Sequence, residues 1–382
     1  MPDLGVRLSN MNPEERAATI ERAGAALRDG QSIVLPTDTL YGVFTRADDI
    51  GAALLDEITG TPEVTSEPRM TLHLADLDQI LEHLVLEAAT VRRLVDRLLP
   101  GPSRLLIEQP ASAILAVCTA LKIPLGIINS ETHIAVRVPD HPVCRQVLRS
   151  SGVACVARRL GAASWAIGEN PGTDLSPIPD GLMDDSTHAP TPALIIDDGP
   201  TLHQQGSTTV RLSMNGKIEV EYEGALTERE VLSNLERTIL FVCTGNTCRS
   251  PMAEAIARDM IRKDEHQGMT THVESAGVAT HDGMPINPDA ASALSGMGLA
   301  VPNHQSKQLT LAMIDHAEVI YTMTPTHAQA IMTMAPNSVH KVFVLDEQEG
   351  VPDPIGQGAE VYQHTAEKLR DLIARRLEEI RI

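Results

Sequence analysis

The chain has 382 residues, more than one hydrophobic core ordinarily organises, so two domains are expected. A formal net charge of −20 repels nucleic acid and anionic lipid, which argues against RNA and membrane partners. Aromatic residues make up only 2% of the chain, so the cores must be built from Leu, Ile, Val, Ala and Met.

The five cysteines, at 118, 144, 155, 243 and 248, are odd in number and lack the repeated spacing of a disulfide framework or zinc site. Reduced thiols are expected. No apolar run is long enough to cross a bilayer, and the opening MPDLGVRLSN lacks the basic and apolar regions of a secretory signal. A cytoplasmic location is the expectation that follows.

In chain order, residues 1–223 mix apolar, strand-like runs (SIVLP, SRLLI, IAVRVP, PALIID, TTVRLS, KIEVEY) with helical stretches such as Asp76–Val95. This is the pattern of one α/β domain. The segment Gly168–Pro192, rich in Pro, Gly and Asp, reads as a long surface loop. Residues 224–237, GALTEREVLSNLER, are polar and acidic and suit a solvated helix or linker, with the boundary near Arg237. Residues 238–382 then run TILFVC, a helix from Ser250, HVESAG, a helix from Pro288, AEVIYTM, a helix from Thr326, HKVFVL and a last helix from Ala359. That alternation predicts a parallel, doubly wound sheet.

Between the strand TILFV and the first helix of this second block lies Cys243-Thr244-Gly245-Asn246-Thr247-Cys248-Arg249-Ser250-Pro251, with Pro251 well placed to start a helix. Consecutive backbone N–H groups at a helix N-terminus can ring three phosphate oxygens. Gly245 is expected to let the loop close tightly. Arg249 can bind two equatorial oxygens bidentately as charge builds on phosphorus. The same positive field favours a thiolate at Cys243, and Ser250 can hydrogen-bond that sulfur as it departs. Such chemistry also needs a carboxylic acid at the leaving atom, brought from another loop. Asp353, in VPDPIG before the last helix, is the candidate, with Pro354 keeping its backbone out of a helix.

VCTGNTCRSPMAE, the Ser275-Ala276-Gly277 string and Asp353-Pro354 occur in the order of the low-molecular-weight protein-tyrosine-phosphatase family, and the second block resembles it throughout. The resemblance implies Cys243 as nucleophile, Arg249 as phosphate clamp and Asp353 as general acid and base. It implies that Asn246, Ser275 and His304 support the loop, and that Cys248 is the family's second loop cysteine, able to form a reversible disulfide with the nucleophile. No cofactor is implied, and the expected partner is a phosphorylated protein.

Tyrosine-directed members carry aromatic residues after the Asp-Pro, where this chain has Ile355 and Gly356. CTGNTCRSP is similar to the loop of bacterial protein-arginine phosphatases of the same fold, and a hydroxyl at Thr247 can accept from a guanidinium N–H. Phosphoarginine is therefore expected ahead of phosphotyrosine. Two rivals remain: a protein that captures phosphate without turnover, which has no use for Asp353, and a thioredoxin-coupled arsenate reductase, which needs further cysteines where none follows Cys248.

In the first block, Leu35-Pro-Thr-Asp-Thr-Leu-Tyr-Gly42, LLPGPSRLLI, IAVRVPDHP, IIDDGP and GSTTV together resemble the threonylcarbamoyl-AMP synthase, YrdC-like family, which implies a twisted mixed sheet. That family holds ATP against a Lys-x-Arg pair. Here Thr59 and Thr61 stand in Ile58-Thr59-Gly60-Thr61-Pro62, and neither residue of the family's Ser-x-Asn survives near Val156-Ala157-Arg158-Arg159. Threonine cannot neutralise a polyphosphate. Thr37, Tyr41, Arg137 and Ser207 remain where the resemblance places contacts to a small molecule such as threonine or a nucleotide. A degenerate synthase serving as a binding or regulatory module is expected. The alternative is an active synthase using ATP and Mg, with Arg104, Arg158 and Arg159 supplying charge from new positions.

Overall fold

The computed structural model describes residues 5–59, 68–159, 191–263 and 269–379. The chain divides into two compact units, Met1–Asn234 and Leu235–Ile382. Gly60, Thr61 and Pro62, and nearly all of the expected surface loop at 168–192, lie outside the described residues. Among the described residues no helix is long and apolar enough to cross a membrane.

In the first unit the described residues form one mixed sheet: β1 (Gly5–Arg7), β2 (Ile33–Leu35), β3 (Gly42–Arg46), β4 (Thr71–His73), β5 (Ser103–Glu108), β6 (His133–Arg137), β7 (Cys155–Arg159), β8 (Leu194–Asp197), β9 (Thr208–Leu212) and β10 (Ile218–Tyr222). Their order is β1-β8-β2-β3-β7-β4-β6-β5-β9-β10. The six apolar runs of the sequence supply β2, β5, β6, β8, β9 and β10. The strands β1 and β4 are three residues each, too short to leave a periodic pattern.

The helix Pro13–Arg28 begins with a capping box, Asn12 accepting from Glu14 and Glu15 N–H while the Glu15 carboxylate takes the Asn12 N–H. Leu27 of this helix, Phe44 of β3 and Val147 of the helix Pro142–Ser151 share one buried cluster. One expectation fails: Asp76–Val95 is not a single helix but Asp78–Leu81 and Ala89–Leu98. The Gln109 side chain accounts for the break, accepting the Val85 N–H at 2.8 Å and donating to the Val85 carbonyl at 3.0 Å, which takes that peptide out of the helical ladder.

The second unit has β11 (Glu236–Cys243), β12 (Thr270–Gly277), β13 (Val319–Thr322) and β14 (Val342–Val344), all parallel, in the order β12-β11-β13-β14. Side chains alternate along β11. Ile239, Phe241 and Cys243 join one core with Met252, Leu294 and Tyr362, from the helices Arg249–Lys263, Pro288–Gly296 and Ala359–Glu379. Leu240 and Val242 join a second core with Ile314 and Ile331, from the helices Leu311–His316 and Pro325–Met334. Helices thus cover both faces, as a doubly wound sheet requires. The six-residue helix Leu311–His316 is too short to show in the sequence pattern.

Residues 224–237 contain the helix Glu228–Ser233, started by a capping box between Thr227 and Glu230. The segment before it is tied into the first unit. Ala225 N–H donates to the Gly206 carbonyl at 2.8 Å, and Leu226 N–H to Thr208 Oγ1 at 2.8 Å.

Candidate active site

Parallel strands deliver their carboxyl ends to one edge of the sheet, where ligands sit in open α/β folds. β11 ends at Cys243, which is opposite Gly277 of β12 and follows Val242, opposite Thr322 of β13. From there 244–248 turn back as a loop before the helix Arg249–Lys263. Asn246 takes the left-handed conformation at φ 51°, which short polar side chains tolerate.

Cys243 Sγ lies 2.9 Å from Ser250 Oγ and accepts the Asn246 N–H at 3.2 Å. Asn246 is fully buried and ties the loop together. Its Nδ2 donates to Ser250 Oγ at 2.9 Å and to Ser275 Oγ at 2.8 Å, and its Oδ1 accepts the Lys307 N–H at 2.8 Å. His304 Nε2 meets the Asn246 carbonyl at 2.6 Å. The structure therefore brings Ser250, Ser275 and His304 together around Asn246, with Ser250 and the Asn246 N–H on the sulfur. Beneath them, Ser275 Oγ donates to Glu254 at 2.5 Å.

Gly245 does not have the role its place in the motif implies. A Cβ there would meet only Thr247 Oγ1, at 3.7 Å, an ordinary contact. The glycine that lets the loop close is Gly277, where a Cβ would stand 2.5 Å from the Thr244 carbonyl oxygen and 3.1 Å from Asn246 N.

Arg249 is 4% exposed, and its Nη1 donates to the Val351 carbonyl at 3.1 Å. Its Nη2 pairs with Asp353 Oδ2. Its Nε, buried, has no hydrogen-bond partner among the described residues. An unmatched donor on a buried guanidinium is costly unless a ligand claims it. Asp353 itself is half-exposed, and its Oδ1 accepts the Ile355 N–H at 3.2 Å, which fixes the turn that presents it. Ile355 is 63% exposed, an aliphatic side chain where tyrosine-directed members of the resembled family carry an aromatic one.

Cys248 is buried and its Sγ lies 3.3 Å from the Tyr362 hydroxyl. Burial, ahead of its other surroundings, pushes the Cys248 thiol up, so it stays protonated at neutral pH. Thr247 is half-buried, and its carbonyl accepts the Asn287 N–H at 2.8 Å. Thr244 is exposed.

Sequence reasoning misses four residues that hold this loop. Thr280 Oγ1 donates to the Gly245 carbonyl at 2.8 Å, and His327 Nε2 lies 2.8 Å from Thr244 Oγ1. Glu254 and Tyr362 are the others. Only Glu254 left a signal, as it stands four residues after Ser250 on the same helix.

In the first unit, Thr37, Tyr41, Arg137 and Ser207 line one cavity of about 670 Å³. Thr37 Oγ1 accepts the Thr39 and Leu40 N–H groups, each at 3.2 Å, the turn chemistry of Pro-Thr-Asp-Thr. Arg137 is buried, paired with Asp38 at 2.7 Å and bonded to Thr39 Oγ1 at 2.6 Å. The Tyr41 hydroxyl donates to the Gly199 carbonyl at 2.8 Å, and burial pushes its pKa above the ordinary phenol range. Arg69, Arg104, Arg158 and Arg159 line the same cavity, whereas no carboxylate among the described residues does. Arg158 pairs with Asp56 at 2.6 Å, and Arg69 pairs with the same carboxylate. Buried His73, also on the wall, is pushed down to about 3 by desolvation first and by the Arg137 and Arg104 charges after it.

Comparison with known proteins agrees with this division. The family model for low molecular weight phosphotyrosine protein phosphatase matches residues 238–381, and the model for the Sua5, YciO and YrdC proteins, described as telomere recombination, matches residues 25–224. A protein-arginine-phosphatase of Bacillus subtilis is 36% identical over 140 residues, covering 35% of this chain and 91% of that protein. One from Geobacillus stearothermophilus is 35% identical over 147 residues, covering 37% of this chain and 95% of that protein. An arsenate reductase of Staphylococcus aureus is 30% identical over 135 residues, covering 35% of this chain and 92% of that protein. Through its second unit the chain belongs to the low molecular weight phosphotyrosine protein phosphatase family, and through its first to the family of Sua5, YciO and YrdC.

Proposed function

We propose that the second unit hydrolyses phosphorylated protein through a phosphocysteine on Cys243. The Cys243 thiolate attacks phosphorus and a sulfur–phosphorus bond forms as the bond to the leaving atom breaks. Asp353 gives its proton to that atom. Arg249 and the loop N–H groups take the charge on the equatorial oxygens. Asp353, now a carboxylate, takes a proton from water as the water attacks phosphorus, and Cys243 leaves as a thiolate held by Ser250 and the Asn246 N–H. The observation that carries this reading is the buried, unmatched Nε of Arg249 beside a sulfur that already has two partners. Asp353 rests on Arg249 Nη2, and phosphate binding to that guanidinium frees the carboxylate for the leaving atom.

Phosphoarginine is the preferred substrate. Thr247 offers a hydroxyl to a guanidinium, and the exposed Ile355 offers a phenyl ring no slot. The relatives named protein-arginine-phosphatase support the same choice. The arsenate reductase relative favours a reductase less, because no cysteine follows Cys248 to relay a disulfide. Turnover on peptides carrying phosphoarginine or phosphotyrosine decides between them: faster release of phosphate from phosphoarginine is expected, and no hydrolysis of the phosphoramidate sinks that preference.

For the first unit we infer a binding role for a small anionic ligand rather than adenylate transfer. The arginines lining the cavity support an anionic ligand, and Thr59 and Thr61, in place of the family's Lys-x-Arg pair, favour binding over adenylate transfer. The rival is synthase activity with ATP and Mg. Formation of threonylcarbamoyl-AMP with pyrophosphate release by the full chain would overturn the binding role.

A further inference from the structure

The chemistry above leaves the buried side chain of His327 unused. Because β11 and β13 are parallel neighbours with Val242 opposite Thr322, their carboxyl ends bring Thr244 and Thr324 to the same crevice. Thr324 is the extended N-cap of the helix Pro325–Met334, yet its hydroxyl bonds no N–H of that helix. It lies instead 2.8 Å from His327 Nδ1, which aims the ring so that Nε2 is 2.8 Å from Thr244 Oγ1.

His327 is 5% exposed whereas Thr244 is exposed, so a buried ring fixes an exposed hydroxyl one residue after Cys243. As a source of stability this contact is worth little, since a hydroxyl on the surface bonds water equally well. What it does fix is the direction of that hydroxyl. Burial, and after it the Arg249 charge, push the ring down to about 4, with Asp353 opposing, so the imidazole is neutral at physiological pH. A neutral imidazole carries one donor and one acceptor. We assign the tautomer with the proton on Nδ1, donated to Thr324, in which Nε2 accepts the Thr244 hydroxyl proton and both lone pairs of Thr244 Oγ1 are left for the cleft.

We propose that His327 is a positioning residue for the leaving group: locked by Thr324, it turns the Thr244 hydroxyl into a fixed acceptor at the mouth of the phosphate loop. A guanidinium leaving group has N–H donors for such an acceptor, and a phenyl ring has none. With Thr247, Thr244 then gives the loop a polar rim selective for phosphoramidates. This rests on the phosphatase reading.

The test is kcat/KM on a phosphoarginine peptide and on p-nitrophenyl phosphate for the full chain, with the melting temperature of each variant. His327→Ala and Thr244→Val should each lose ~10-fold on phosphoarginine, the worth of about one hydrogen bond, and far less on the aryl phosphate. The double variant should lose no more than the worse single, because one interaction is removed twice. His327→Gln, whose amide oxygen can accept from Thr244, should recover most of the loss. Equal losses on both substrates, losses that multiply, or a lower melting temperature with unchanged kcat/KM would overturn the role. Thr244→Val alters only an exposed side chain, so unchanged selectivity in that variant overturns it even if His327→Ala fails to fold. Absence of hydrolysis of both substrates by the wild type would instead defeat the phosphatase reading, and this inference with it.

Discussion

On the proposed readings, the two units meet an anion in opposite ways. In the second, the proposed phosphate donors lie in residues 244–248 and in Arg249 directly after β11, and the buried Nε of that guanidinium has no hydrogen-bond partner among the described residues. In the first, the cavity draws its arginines from strands and loops spread between residues 69 and 159, and two of them already share Asp56 while Arg137 holds Asp38. A loop whose donors are aligned in advance loses little on binding a transition state, which is what catalysis needs. Arg249 is paired too, but its carboxylate is Asp353, the proposed acid, so releasing it serves the reaction, whereas the Asp56 and Asp38 pairs of the first unit have no such use and suit selective binding better than turnover.

That contrast can be broken by substitution. The largest effect belongs to Cys243→Ser, which should lower kcat by at least ~10⁴-fold while leaving phosphate binding intact, checked by turnover and by phosphate protection against thermal unfolding. Retained turnover would remove the covalent mechanism. Asp353→Asn should cost ~10²- to 10⁴-fold, more for leaving groups that need a proton, so a flat response across leaving groups would remove Asp353 as the acid. Next is Gly277→Ala. Its Cβ would collide with the Thr244 carbonyl, so turnover should fall steeply, whereas Gly245→Ala, with only a 3.7 Å contact, should fall far less. The reverse order would contradict the packing described for the loop.

The smallest effect is on stability. His73 in the first unit is held neutral to about pH 3, and His327 in the second to about pH 4, both chiefly by burial. Both folded values lie below the ordinary value of about 6.5. The unfolded chain therefore binds protons first as the pH falls, and stability is lost from about pH 6.5 downward, until the folded values are reached. Each histidine contributes at most about 1.4 kcal/mol per pH unit in that window. Denaturant unfolding at pH 7 and pH 5 checks it, and His73→Gln should flatten the dependence of the first unit's transition. A first unit more stable at pH 5 would reverse the sign.

What the sequence reveals follows from where the contacts lie along the chain. The sulfur's neighbours Asn246 and Ser250 are within seven residues of Cys243, and such a dense motif is legible. His304 and Ser275 are more distant in sequence, yet the family pattern marks them. His327 and Tyr362 are not legible, because each reaches the loop from 83 and 114 residues away through a single contact that only the sheet order creates. Gly245 shows the opposite error. A glycine inside a motif invites a conformational role that the backbone assigns to Gly277 across the β11–β12 pair. In the first unit the apolar runs predict strands well, but the division of Asp76–Val95 into two helices depends on the Gln109 side chain, which no local pattern foretells.

The most direct measurement is rapid quenching of the full-length Asp353→Asn variant on p-nitrophenyl phosphate, whose leaving group needs no proton while breakdown still lacks its base, followed by mass spectrometry of the cysteine peptides. Phosphate should appear on Cys243 and on no other cysteine. Turnover without a phosphorylated Cys243 at any time would contradict the account.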